Sequence, residues 1–155
     1  IKKMELKKLN TFIKKYWNDM GWESPSKEWD LKLTNLIQDS MILLKDSIDQ
    51  SKPFFSVSEM QKEGQQFLEN NREAKESLKY ILYYLEQEKI SKVTNDKGRE
   101  IISKISINHS IKKGILMKSL RVAFFGCLTG PDLIQSWELF SENKSDIILI
   151  KRCLD

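Results

Sequence analysis

Apolar residues recur at helical spacing along almost the whole of this 155-residue chain. Leu6, Leu9, Ile13, Trp17 and Met20 advance by threes and fours, and Gly21 follows as a stop. That spacing predicts a first helix over about 5–20. Pro25 and Ser26 restart the chain, and Trp29, Leu33, Leu36 and Ile37 mark a second helix beginning near Ser26. A third is expected over about 40–50, with Met41, Leu44 and Ile48 on one side. No segment alternates with a period of two and none repeats, so the chain is expected to be all-α, with eight or nine short helices.

Lys52-Pro53-Phe54-Phe55-Ser56 interrupts this pattern. Proline lacks a backbone donor and biases the residue before it away from helical geometry, so the third helix should end here. The two aromatics would anchor the break on a core. A boundary between two small helical subdomains, 1–56 and 57–155, is therefore expected. Beyond it, helices are predicted over about 58–68, 71–89, 96–107 and 113–125. Thr94-Asn95-Asp96 supplies the N-cap of the third of these, and Asn108-His109-Ser110 is the turn after it. Gly126 and Gly130 bracket a loop, with Pro131 placed as a first-turn proline of a helix carrying Leu133, Ile134, Trp137 and Phe140. Ser141 and Glu142 are expected to open a last helix, with Ile147, Ile148, Ile150 and Leu154 inward.

Charge narrows the functional classes. The net charge is +4, with 31% charged and 40% hydrophobic residues. It is unevenly placed: residues 1–15 carry six lysines against Glu5, a net of +5, and residues 91–121 carry a net of +6. The remainder is therefore −7. A basic block on an otherwise acidic chain suits a polyanionic partner, although a lysine-rich solvated surface produces the same count. No apolar run approaches the length of a membrane span, and no apolar segment follows the basic start as in a signal peptide. A start on Ile1 rather than Met points to a fragment of a longer polypeptide. Cys127 and Cys153 can neither build a disulfide framework nor complete a tetrahedral zinc site, which fits a reducing compartment.

Catalytic parts are sparse. His109 is the one histidine and lies in a polar turn, where a solvated ring is the simpler reading than a base or metal ligand. Neither GxxxxGK[ST] nor GxGxxG occurs around Gly126 and Gly130. Cys127 lacks a visible partner base and reads as a small loop residue. No catalytic or metal-binding residue is expected.

The segment Lys112-Lys113-Gly114-Ile115-Leu116-Met117-Lys118-Ser119-Leu120-Arg121, continuing through Gly126 to Gly130-Pro131-Asp132-Leu133, carries more information. It resembles the C-terminal signature of bacterial and organellar glutamyl-tRNA synthetases, in which a "KG…LM-P-LR-AL-G" stretch precedes a "GPDL" or "TPGL" helix start. Ser119 stands where many members have Pro. Leu43-Leu44 and Gln50-Ser51-Lys52-Pro53-Phe54-Phe55 are similar to the helix end dividing the two anticodon-binding subdomains, in a cyanobacterial-like form. The resemblance extends over the whole chain.

The resemblance implies an all-α cage that grips the anticodon loop of tRNA-Glu. By that analogy Arg121 reads an anticodon base, Gly130, Pro131 and Leu133 form a pocket for another, and Lys112, Lys113 and Lys118 contact the tRNA backbone. Taken without it, Arg121 is an arginine lying over the Phe124/Phe125 helix, and the lysines are a solvated face. Members charging only tRNA-Glu often carry an arginine in the third helix, about where Ser40 falls here, and no arginine occurs between residues 1 and 71. The parent enzyme is therefore expected to accept tRNA-Gln as well. The "HIGH" and "KMSKS" signatures are absent, so ATP and Mg²⁺ are expected to serve the parent ligase outside this chain, which alone should be inactive. A monomer binding neither DNA nor membrane is expected, in the cytoplasm or in the stroma or matrix of an organelle. The competing class is an all-α protein-interaction domain with no nucleic-acid role.

Overall fold

The computed structural model describes residues 3–155, and among them every regular element is an α-helix. Nine are present: α1 (Leu6–Asp19), α2 (Lys27–Gln38), α3 (Asp46–Phe55), α4 (Lys62–Asn70), α5 (Arg72–Gln87), α6 (Asn95–His109), α7 (Lys113–Phe125), α8 (Leu133–Glu142) and α9 (Asp146–Arg152). They fall into two compact units, Ile1–Val57 and Ser58–Asp155. The boundary lies one residue beyond the one expected from the Pro53 break.

In the first unit, α1 turns Leu9, Ile13 and Trp17 inward, and α2 meets them with Trp29, Leu33 and Ile37. Ser26 caps α2 by accepting from the Trp29 N–H at 3.1 Å. Several polar groups inside this unit are paired. The Trp17 indole donates to Ser51 Oγ at 2.9 Å, Asn10 donates to Thr34 Oγ1 at 2.9 Å, and the buried Asp30 carboxylate meets Lys14 Nζ at 2.7 Å. Met20, expected inward, is instead exposed at the end of α1.

The third helix departs from expectation at both ends. Residues 40–45 form turns, because the Asp46 carboxylate accepts from the N–H groups of Ile42 (3.0 Å) and Leu43 (2.8 Å). Those bonds hold its pKa below the ordinary carboxylate value. Helix α3 starts only at Asp46 and then runs through Pro53. The proline lies in the last turn, where few backbone bonds remain to be lost. Packing holds that turn: Phe54 is buried, and Phe55 is ringed by Trp17, Trp22 and Trp29 at 5.0–5.2 Å between ring centroids. Tertiary contact thus outweighs the local bias of proline.

The second unit is built around α7, which packs against α4, α5, α6, α8 and α9. Seven of its 13 residues are buried, as befits a helix enclosed on most sides. Phe124 contacts the rings of Trp137 and Phe140, and Phe125 meets Phe140 edge-on. Thr94 caps α6 as expected, accepting from the Lys97 N–H. Two boundaries differ. Pro131 is not a first-turn residue: Asp132 is the N-cap of α8 and accepts from the Gln135 N–H at 2.9 Å. Ser141 does not open the last helix but ends within α8, where its buried hydroxyl accepts from the Val93 N–H. Helix α9 begins at Asp146, which rotates Leu149 and Ile150 inward and leaves Ile148 62% exposed.

Gly126 ends α7 in the left-handed region, at φ +75°. Its carbonyl accepts from the Gln61 N–H at 2.9 Å, and a Cβ at residue 126 would overlap the Glu59 carbonyl. A Cβ on Gly64 would in turn overlap the Gly126 carbonyl, so the start of α4 and the end of α7 touch backbone to backbone. Gly126→Ala should therefore destabilise the fold by more than about 2 kcal/mol in urea unfolding. Gly114→Ala, with nothing within 4 Å of the added methyl, should gain about 0.5 kcal/mol in the same measurement.

Candidate functional site

The exposed side of α7 is set by helical spacing. Gly114, Lys118 and Arg121 lie four and three residues apart, so they share a face, and the opposite face carries the buried Leu116, Leu120 and Phe124. Gly114 and Lys118 are exposed and Arg121 is half-buried. Lys112 is the N-cap residue of α7 and Lys113 its first helical residue; both side chains are exposed. No ion pair engages the amines of Lys112, Lys113 or Lys118 among the described residues.

Arg121 projects toward the loop that follows its own helix. Its Nη1 donates to the Pro131 carbonyl at 2.9 Å, so the two halves of the sequence motif, ten residues apart, meet in space. That bond ties the guanidinium to the loop and uses one of five donors; no other hydrogen bond engages the rest among the described residues. Gly130 is exposed and takes φ +148°, with the Phe125 ring 3.0 Å from where a Cβ would sit. Gly130 thus lies close against the Phe125 ring. Pro131 is half-buried beside it.

Leu133 is placed differently from the pocket role that the resemblance implies. It is 2% exposed and belongs to the core beneath the loop. Cys127 is half-buried, and its thiol contacts the Thr129 carbonyl at 3.4 Å. His109 closes α6 rather than lying in the turn beyond it, and its exposed ring stacks on Tyr80 with 3.6 Å between centroids and 8° between planes. Ser40 lies in the first unit, in the turn after α2 rather than in the third helix. Its hydroxyl donates to the Ile37 carbonyl and contacts Gln50 Oε1 at 3.1 Å. No three His, Cys, Asp or Glu side chains gather to hold a metal ion among the described residues. No described helix is long and apolar enough to cross a membrane.

The sequence reading overlooked Arg152. Its guanidinium donates to the Ala123 carbonyl through Nε (3.2 Å) and Nη2 (2.8 Å), and through Nη1 to the Ser58 carbonyl. Burial holds its pKa below the ordinary arginine value. A basic residue in the last turn of a helix is legible as a partner for that helix's own dipole. Its actual targets, two carbonyls distant in sequence, are not.

Residues 6–146 match the family model of the anticodon binding domain. The chain belongs to the anticodon-binding domain family. It is 76% identical over its full length to a glutamate–tRNA ligase of Prochlorococcus marinus subsp. pastoris, and 74% identical over 154 residues to that of Prochlorococcus marinus strain MIT 9515. It spans only 32% of the length of each of these relatives. Among solved structures, the crystal structure of a glutamate tRNA ligase from Elizabethkingia meningosepticum has the same fold, with a TM-score of 0.85 at 20% identity. That match covers 97% of this chain and 29% of the other. As an anticodon-binding domain, the chain presents its motif residues on one face of α7 and on the loop that α7 leads into.

Gly130→Ala tests how tightly that loop is seated. The added methyl meets the Phe125 ring, and φ +148° is strained for any side chain. A loss of about 1–2 kcal/mol in thermal or urea unfolding is expected, with shifted ring resonances of Phe125.

Proposed function

We propose that this chain is the anticodon-binding region of a glutamate–tRNA ligase, and that its second unit reads the anticodon loop of tRNA-Glu. The observation that carries this reading is the 2.9 Å bond from Arg121 to the Pro131 carbonyl. It ties a planar donor fork to a loop whose Thr129 and Gly130 are exposed. Unpaired RNA bases offer free edges and stackable faces, and a tethered guanidinium suits a base edge better than a mobile ammonium does. Arg121 would hydrogen-bond one base, while Gly130 and Pro131 would accept another against the loop surface. The buried Leu133 would serve as the floor that holds the loop in place. Lys112, Lys113 and Lys118 would meet phosphates along the same helix, which positions the RNA without reading its sequence.

The reading extends to the longer polypeptide. Ligation of glutamate to tRNA, with ATP and Mg²⁺, falls to the portion outside this chain. We assign the whole ligase to the soluble translation machinery, as a monomer in the cytoplasm or in an organelle's stroma or matrix. Ser40 offers only a short hydroxyl, already directed at Ile37 and Gln50, at the position where a guanidinium could reject a wrong anticodon base. This supports acceptance of tRNA-Gln beside tRNA-Glu.

Arg121→Ala should weaken binding of a tRNA-Glu anticodon hairpin by about 1–3 kcal/mol and flatten the preference over base-substituted hairpins. Lys112→Ala or Lys113→Ala should instead reduce the slope of log affinity against log salt by about 1, with sequence preference unchanged. Filter binding over a salt series measures both, and salt-insensitive binding with no anticodon preference would overturn the reading. For the full-length ligase, charging assays with both transcripts should show glutamylation of tRNA-Gln as well as tRNA-Glu. Strict preference for tRNA-Glu would refute the inference from Ser40.

A further inference from the structure

The last turn of a helix leaves carbonyls without intrahelical partners, and in α7 most of these are claimed by segments remote in sequence. The Val122 carbonyl accepts from the Gly126 N–H at 2.8 Å, which is the local cap. The Ala123 carbonyl accepts two N–H groups of Arg152. The Phe124 carbonyl accepts from Ser58 Oγ at 3.4 Å, and that of Gly126 from the Gln61 N–H at 2.9 Å. The same Arg152 guanidinium holds the Ser58 carbonyl. One side chain on α9 therefore ties the end of α7 to the strand of backbone at 58–61.

The place of this clamp matters. Ala123 lies two residues beyond Arg121 and three before the Gly126 elbow. Any movement of this turn changes both the origin of the Arg121 side chain and the start of the loop carrying Pro131. Arg121 bridges only 2.9 Å to that loop, so the bridge depends on the two ends keeping a fixed separation. Arg152 also has no carboxylate within ion-pair distance among the described residues, although it is half-buried. Its hydrogen bonds to Ala123 and Ser58 go to main-chain oxygens, and the Cys153 thiol is its side-chain neighbour. A lysine could supply the charge but not the divergent fork that reaches two carbonyls at once.

We propose that Arg152 is a positioning residue for anticodon recognition, setting the orientation of Arg121 through the last turn of α7. This rests on the proposed reading of the Arg121 site. Arg152 would act without contacting RNA; its effect on base selectivity passes through α7 and requires Arg121.

A double-mutant cycle on the full 155-residue chain tests this. The quantity measured is the ratio of affinities for the tRNA-Glu anticodon hairpin and for hairpins with one anticodon base replaced. Arg152→Lys should lower that ratio by on the order of tenfold in the presence of Arg121 and leave it unchanged in an Arg121→Ala background. A structural role alone would lower the melting temperature and weaken all hairpins alike, with the ratio preserved. Arg152→Met serves as a second variant should Arg152→Lys keep the bridge, and unfolding curves establish that each variant is folded at the assay temperature. Equal selectivity losses with and without Arg121, or no loss with either variant, overturn the proposal. A wild-type chain indifferent to the anticodon overturns both this inference and the reading beneath it. A selective wild type with indifferent Arg152 variants overturns this inference alone.

Discussion

The second unit depends on how α7 ends. A helix enclosed by five others has nowhere to expose its terminal carbonyls to water, and each one left unpaired would cost about 1–3 kcal/mol. The structure meets this demand with three devices from three places in the chain: a left-handed glycine, the backbone at 58–61 and the guanidinium of Arg152. Because Gly126 and Gly64 allow backbone to meet backbone, the end of α7 is fixed against α4 without an intervening side chain. The loop that leaves this end caps the next helix instead, through Asp132 on the Gln135 N–H. In the same loop, the Pro131 carbonyl meets Arg121.

Rigid packing beneath and exposed chemistry above also explain the distribution of residue types along α7. Leu116, Leu120 and Phe124 lose all contact with water, at about 1.5–3 kcal/mol of stabilisation each. On the other face stand Gly114, Lys118 and Arg121, which contribute little to that core. Leu133 and Phe125 continue the buried side under the loop, so a segment rich in glycine is seated on an apolar floor. The first unit follows another logic. There polar groups enter the helix packing in individual pairs, with the Trp17 indole on Ser51 and the Asp30 carboxylate beside the Lys14 amine.

Much of the candidate site was legible in the residues. The Leu120-Arg121 pair, the Gly130-Pro131-Asp132-Leu133 turn and the lysines at the head of α7 stand out by spacing and by resemblance, and the fold places the first two side by side. Arg152 was not legible, since a basic residue near a helix end is ordinary and its target carbonyls lie 29 and 94 residues away. Leu133 was visible as a motif residue, but whether its side chain faces a pocket or the core depends on what packs beneath α8.

By itself the sequence determined the all-α class, the cap residues Ser26 and Thr94, and the apolar stripes of α1, α2, α5 and α7. These follow from local geometry: a 3.6-residue period and a side-chain oxygen able to accept a free N–H are properties of a few adjacent residues. Only the tertiary structure decided that α3 continues through Pro53, that Ser141 stays within α8 and that Ile148 faces water. In each case a contact from elsewhere outweighed a local preference: the aromatic cage around Phe55, the Val93 N–H on Ser141, and the packing of α9 against α5 and α7. Such contacts join residues tens of positions apart, and the local pattern carries no record of them until the chain has folded.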